Sequence, residues 1–156
     1  LGPLINRDAI EKIQTLLADA TDRGAKVIHG GHVLEDLGPR FFAPTVVTGV
    51  DPDMRMSCDE IFGPVVSIQS FDSEGEAVAM ANDSDYGLAG AVWTADTDRA
   101  LSIAARVRSG TLGVNQGYTM DPVAPFGGVK GSGYGRELGP EGIDSYLETK
   151  SIAVSP

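Results

Sequence analysis

Glu60-Ile61-Phe62-Gly63-Pro64, Pro125-Phe126-Gly127-Gly128 and Gly131-Ser132-Gly133-Tyr134-Gly135-Arg136-Glu137-Leu138-Gly139 are the stretches that decide the fold of this chain. They lie far apart in sequence and share one character. Each sets an acid or an aromatic ring among residues that force the backbone into fixed, close-packed turns. Glycine admits positive φ and lets another backbone or a ligand come near. Proline fixes its own φ and restrains the residue before it. Turns of this kind suit a protein that must hold small molecules in fixed geometry.

Around them, apolar periodicity gives alternating helices and strands. Asp8 to Arg23 reads as a helix with Ile10, Ile13, Leu16, Leu17 and Ala20 on one face, started by Asn6 or Asp8 and ended by Gly24. Ala25 to His29 reads as a strand, and Phe41 to Thr48 as an extended segment made irregular by Pro44. Asp51-Pro52-Asp53 is a turn, Pro64 to Phe71 a strand, and Ser73 with Glu76 opens a helix to about Ala81. Gly87 to Thr94 reads as a strand buried on both faces. Asp96 caps a helix through Arg108, stopped by Ser109-Gly110, and Thr111 to Asn115 is a further strand. Gln116 to Gly133 is a long loop whose apolar residues argue for order and function. A short helix at 139–146 and a strand at 147–154 finish the chain. This alternation predicts an α/β fold with a mostly parallel sheet and flanking helices.

At 156 residues the length suits one domain, and 42% apolar content is enough for a core. No run approaches the roughly 18 apolar residues of a spanning helix, so no membrane role is expected. The net charge of −10, from 12 basic and 22 acidic residues, argues against nucleic acid as a partner, because phosphate backbones reward Lys/Arg clusters. The single cysteine, Cys58, makes no internal disulfide and fits a reducing compartment; a cytoplasmic location is expected. No Cys/His set has zinc spacing, and His29 and His32 have too few partners nearby, so no metal is expected.

The three motifs, in this order and spacing, resemble the C-terminal portion of the NAD(P)-dependent aldehyde dehydrogenase family. Leu1-Gly2-Pro3-Leu4-Ile5 is similar to the segment after that family's catalytic cysteine. Asn82 to Ala89, Gly110 to Asn115 and Glu148-Thr149-Lys150 are similar to three further runs, so nearly the whole chain is covered. The resemblance implies a catalytic domain at 1–146 that lacks its first segments, followed by an oligomerisation strand at 147–156 that pairs in a homodimer or homotetramer. It implies an enzyme that oxidises an aldehyde to a carboxylic acid with NAD or NADP through a cysteine thiohemiacetal. The nucleophilic cysteine and the general-base glutamate lie upstream of the position matching Leu1, so the chain is expected to be a piece of a longer protein and inactive alone.

Residue by residue, the resemblance gives Glu60 the nicotinamide-ribose hydroxyls, which a carboxylate matches as two acceptors for two donors. It sets Phe62 beside the nicotinamide ring. Phe126 lines the aldehyde tunnel, with Met120 and Tyr118 available to the same wall. Glu137 is the acid of a proton relay. Blander alternatives stand beside each: a turn-capping surface glutamate, a core phenylalanine, loop packing, and for Glu137 a salt bridge to Arg136 or Lys130. Carbonyls near Lys130 and Gly133 match a potassium site of some relatives. Cys58 lies near Glu60 but lacks the Gln- and Gly-flanked setting of the family nucleophile and reads as a small apolar thiol. A different class of function also fits: a stand-alone, non-catalytic binding or structural module of the same fold. Acylating oxidation to a thioester is a further enzymatic alternative.

Overall fold

The computed structural model describes residues 1–117 and 120–155. They form two compact units, Leu1–Ser73 and Glu74–Pro156.

The first unit is organised by α1 (Arg7–Asp22). Asn6 caps it by accepting from the Ala9 N–H at 2.9 Å. The predicted apolar face is buried: Ile10, Ile13, Leu16, Leu17 and Ala20 join Phe42, Val47, Met54 and Met56 in one core. Opposite lies a three-stranded sheet of β1 (Lys26–His29), β2 (Thr45–Thr48) and β3 (Val65–Ile68). β1 and β2 are antiparallel; β2 and β3 are parallel, with Thr45 opposite Val65 and Thr48 opposite Ile68. Thr45 is buried on β2, where its hydroxyl donates to the Ala43 carbonyl and accepts from the Gly31 N–H. Between β2 and β3 runs a one-turn helix, α2 (Arg55–Cys58), which sequence periodicity cannot detect at that length.

The second unit pairs β5 (Ala89–Val92) with β6 (Thr111–Val114) in parallel, joined by α4 (Thr97–Ala104). This is the strand–helix–strand unit the sequence predicts, and Asp96 caps α4 by accepting from the Arg99 N–H. Two short antiparallel strands, β4 (Tyr86–Gly87) and β7 (Val129–Lys130), form a separate ladder. A helix α3 (Glu74–Asn82) precedes them, and a 3₁₀ helix spans Pro140–Tyr146. The α/β class is thus borne out, its parallel pairs accompanied by antiparallel ones.

Three expectations are corrected. The helix predicted through Arg108 ends at Ala104, because Asn82 captures the backbone beyond it: its amide donates to the Arg106 carbonyl and accepts from the Arg108 N–H. The strand predicted to be buried on both faces is not. Along β5 exposed and half-buried residues alternate, with α4 packed against it. The region 116–133, predicted as loop throughout, contains β7. Residues 147–155 are exposed and form no ladder among the described residues. No helix among the described residues is long and apolar enough to cross a membrane.

Candidate functional site

Glu60 and Phe62 sit together on the connection between α2 and β3. The helix α2 closes with Asp59, whose N–H donates to the Arg55 carbonyl and whose carboxylate pairs with the Arg55 guanidinium at 3.0 Å. From there the side chains alternate. Glu60 and Phe62 point outward and are exposed, while Ile61 between them packs against the core.

Phe62 takes φ +49, a conformation that costs a non-glycine residue on the order of 1 kcal/mol. The residue is 77% exposed. The turn after it is set by α1. A Cβ at Gly63 would lie 2.3 Å from Ile13 Cδ1, so only glycine lets the connection press against the helix there. The Val65 N–H then donates to the Gly63 carbonyl, and the Thr45 N–H to the Pro64 carbonyl, leading into β3. On the α1 side the Lys12 ammonium donates to the Glu60 carbonyl. Periodicity gave Lys12 no distinction, because it lies on the polar side of an amphipathic helix.

In the second unit the structure brings Phe126 and Glu137 face to face. The Phe126 N–H donates to the Glu137 carbonyl and the Glu137 N–H to the Phe126 carbonyl, both at 2.7 Å. Leu138, at φ +60, turns the chain out of this bridge, and its carbonyl accepts from the Gly142 N–H. The bridge is sewn down by Arg136, whose Nη1 donates to the Gly128 carbonyl at 2.9 Å and to that of Gly135 at 2.6 Å. The chain at Gly127 also passes the residue before β6 at backbone contact: a Cβ at Gly110 would lie 1.6 Å from the Gly127 carbonyl oxygen. Phe126 is half-buried and Glu137 exposed.

Neither cation proposed as a salt-bridge partner of Glu137 is directed at it. Arg136 donates to the two carbonyls just named, and Lys130, at φ +56, donates to the carbonyls of Asn82 and Ser84. Ion pairs among the described residues join Arg23 to Asp53, Arg55 to Asp59, and Glu74 to both Arg99 and Arg106. Met120 is described and 67% exposed; Tyr118 lies outside the described residues. Cys58, the last residue of α2, is exposed rather than the buried thiol expected; its Sγ faces the Pro52 carbonyl.

The model of the aldehyde dehydrogenase family matches residues 1–152. Succinate-semialdehyde dehydrogenase [NADP(+)] 1 of Schizosaccharomyces pombe is 44% identical over 99% of this chain and 31% of its own length. Geranial dehydrogenase of Castellaniella defragrans is 47% identical over 97% of this chain and 31% of its own length. The crystal structure of a Mycobacterium tuberculosis aldehyde dehydrogenase complexed with NAD+ superposes with a TM-score of 0.92 at 43% identity, over 99% of this chain and 32% of that one. The chain therefore spans about a third of the length of the relatives it matches. With a family model matched from its first residue to residue 152, the chain belongs to the aldehyde dehydrogenase family.

Proposed function

We propose that this chain is the C-terminal part of an NAD(P)-dependent aldehyde dehydrogenase that oxidises an aldehyde to the carboxylic acid. The observation that carries the proposal is the family match over residues 1–152. The relatives narrow the substrate no further than its class. Identity is nearly the same to an enzyme named for a semialdehyde acid and to one named for geranial, a hydrocarbon aldehyde. NADP appears in one relative's name and NAD+ in the crystal structure, so the cofactor is proposed as NAD or NADP.

The residues present fit the nicotinamide end of such a cofactor. A fixed turn presents an exposed glutamate and, two residues on, an exposed phenylalanine at positive φ. A ribose diol needs two acceptors, which the Glu60 carboxylate offers, and a flat heteroaromatic ring needs a wall, which Phe62 offers. The bound nicotinamide would supply acceptance of hydride from the substrate carbon. Glu60 and Phe62 orient that ring; Phe126 lines the aldehyde path with Met120; Glu137, exposed, is the relay acid between the general base and solvent. The attacking thiolate, which forms the thiohemiacetal, and the base that activates water are proposed to belong to the other two thirds of the enzyme. Residues 147–156 are proposed to pair with a neighbouring subunit of a homodimer or homotetramer, where exposed Ile152 and Val154 would be covered. The cytoplasm, a reducing compartment, is the proposed location.

The test is aldehyde-dependent formation of NADH or NADPH by the complete enzyme and, separately, by the 156-residue chain, with succinate semialdehyde and geranial as substrates. The complete enzyme is expected to turn over and the chain alone to be silent. Turnover by the chain alone, abolished by Cys58→Ala, overturns the assignment of the nucleophile. A complete protein inert to every aldehyde and both cofactors favours the non-catalytic module instead.

A further inference from the structure

We propose that Lys12 is a positioning residue for Glu60, holding the backbone of the cofactor-binding turn so that the Glu60 carboxylate leaves it in one direction. The inference rests on the proposed role of Glu60 and adds a residue to it. The connection between α2 and β3 has three anchors. Ile61 packs on the core, Gly63 presses against Ile13, and the Lys12 ammonium donates to the Glu60 carbonyl. Ile61 and Gly63 fix the ends of the outward-facing Phe62. Among the described residues it is Lys12 that bonds to Glu60 itself, from 48 positions away in sequence.

The anchor is rigid at its base. Lys12 precedes Ile13, which is fully buried in the middle of the sixteen-residue helix α1, so its Cα moves with the core. A hydrogen bond from an ammonium is roughly twice as strong as a neutral one. Without it the peptide between Glu60 and Ile61 can rotate, because no ladder bond holds that carbonyl. A carboxylate that must meet two ribose hydroxyls together tolerates little such rotation.

The experiment uses the complete enzyme and four variants: Lys12→Met, Lys12→Arg, Glu60→Gln, and the double variant Lys12→Met/Glu60→Gln. Methionine keeps an unbranched apolar stem and removes the donor. Cofactor dissociation constants are measured by NADH and NADPH fluorescence, together with KM and kcat. Amide hydrogen exchange at residues 61–63 is followed without cofactor. Lys12→Met is expected to weaken cofactor binding about tenfold. The loss should fall on cofactor KM more than on kcat, and exchange at 61–63 should quicken in the cofactor-free enzyme. Lys12→Arg should recover most of the affinity. The double variant should bind no worse than Glu60→Gln, because Lys12 acts through Glu60. Full additivity in the double variant overturns the inference, since Lys12 would then reach the cofactor by another route. So does unaltered binding in Lys12→Met beside weakened binding in Glu60→Gln, and this leaves the role of Glu60 standing. Unaltered binding in Glu60→Gln removes that role and the inference with it.

Discussion

The two units of this chain are held together by different physics. In Leu1–Ser73 the face of α1 seals a core with Phe42, Val47, Val50, Met54 and Met56. In Glu74–Pro156 the one fully buried apolar residue among those described is Ala100. There the backbone does what side chains do in the first unit. Gly110 touches the Gly127 carbonyl, Arg136 ties two carbonyls together, Lys130 ties two more, and Asn82 ends α4. The difference shows two ways of presenting a side chain. Glu60 and Phe62 ride on a turn pressed against a packed helix, whereas Phe126 and Glu137 ride on a two-residue bridge held by polar contacts. Burial confers stability in proportion to apolar area, while hydrogen bonds and close backbone contacts specify geometry for a smaller net gain.

The sharpest way to break this contrast is at the backbone crossing. Gly110→Ala sets a Cβ 1.6 Å from a carbonyl oxygen that no rotamer change can move. It is expected to cost more than about 4 kcal/mol and to unfold the second unit, read as loss of protected amides at 74–155 while those of α1 persist. Leu16→Ala, in the sealed core, is expected to cost about 3 kcal/mol by urea unfolding, from lost burial and the cavity left behind. Its counterpart Leu101→Ala, on the exposed side of α4, is expected to stay within about 0.5 kcal/mol. Similar costs for both would erase the comparison. The helix caps should behave alike in the two units, because capping is local: Asn6→Ala and Asp96→Ala should each cost about 1 kcal/mol.

The smallest effect sharpens the polar side of the contrast. Hydrogen bonds from Arg99, then Arg106, hold the Glu74 carboxyl below the ordinary glutamate pKa. A lowered folded-state pKa contributes stability above the unfolded value and loses it as pH falls through the folded one. The α3–α4 contact is therefore expected to weaken only in acid, below the ordinary glutamate range. Glu74→Gln should abolish that acid step in a pH series of melting temperatures. Because both guanidiniums are exposed and Glu74 is only half-buried, added salt should shrink it as well.

Much of the fold was legible because it is encoded over short spans. The 3.6-residue apolar spacing of Ile10, Ile13, Leu16, Leu17 and Ala20 required a helix, and those residues are the ones buried. Asn6 and Asp96 were readable as caps because a cap bonds within three residues. The strand–helix–strand of β5, α4 and β6 followed from alternating patterns of the right length. What failed to show was short or depended on distant chain. The single turn of α2 and the two residues of β7 are below the length at which a period exists. The early end of α4 depends on Asn82, which no local pattern connects to it.

At the candidate site the motifs singled out the candidate residues and left open how they are held. Glu60, Phe62, Phe126 and Glu137 stood out in sequence because glycine and proline surround them. Their surroundings did not. That Lys12 reaches Glu60, that Ile13 fills the space a side chain at 63 would need, and that Phe126 and Glu137 share a pair of hydrogen bonds are facts of tertiary structure. Sequence by itself determined where the longer helices start, their N-caps and the glycine-rich turns, since those depend on backbone preferences and contacts within a turn or two of chain. Only the folded chain decided which of these elements touch. Such contacts require closing long loops, and the entropy of that closure is repaid by the whole core rather than by any local run of residues.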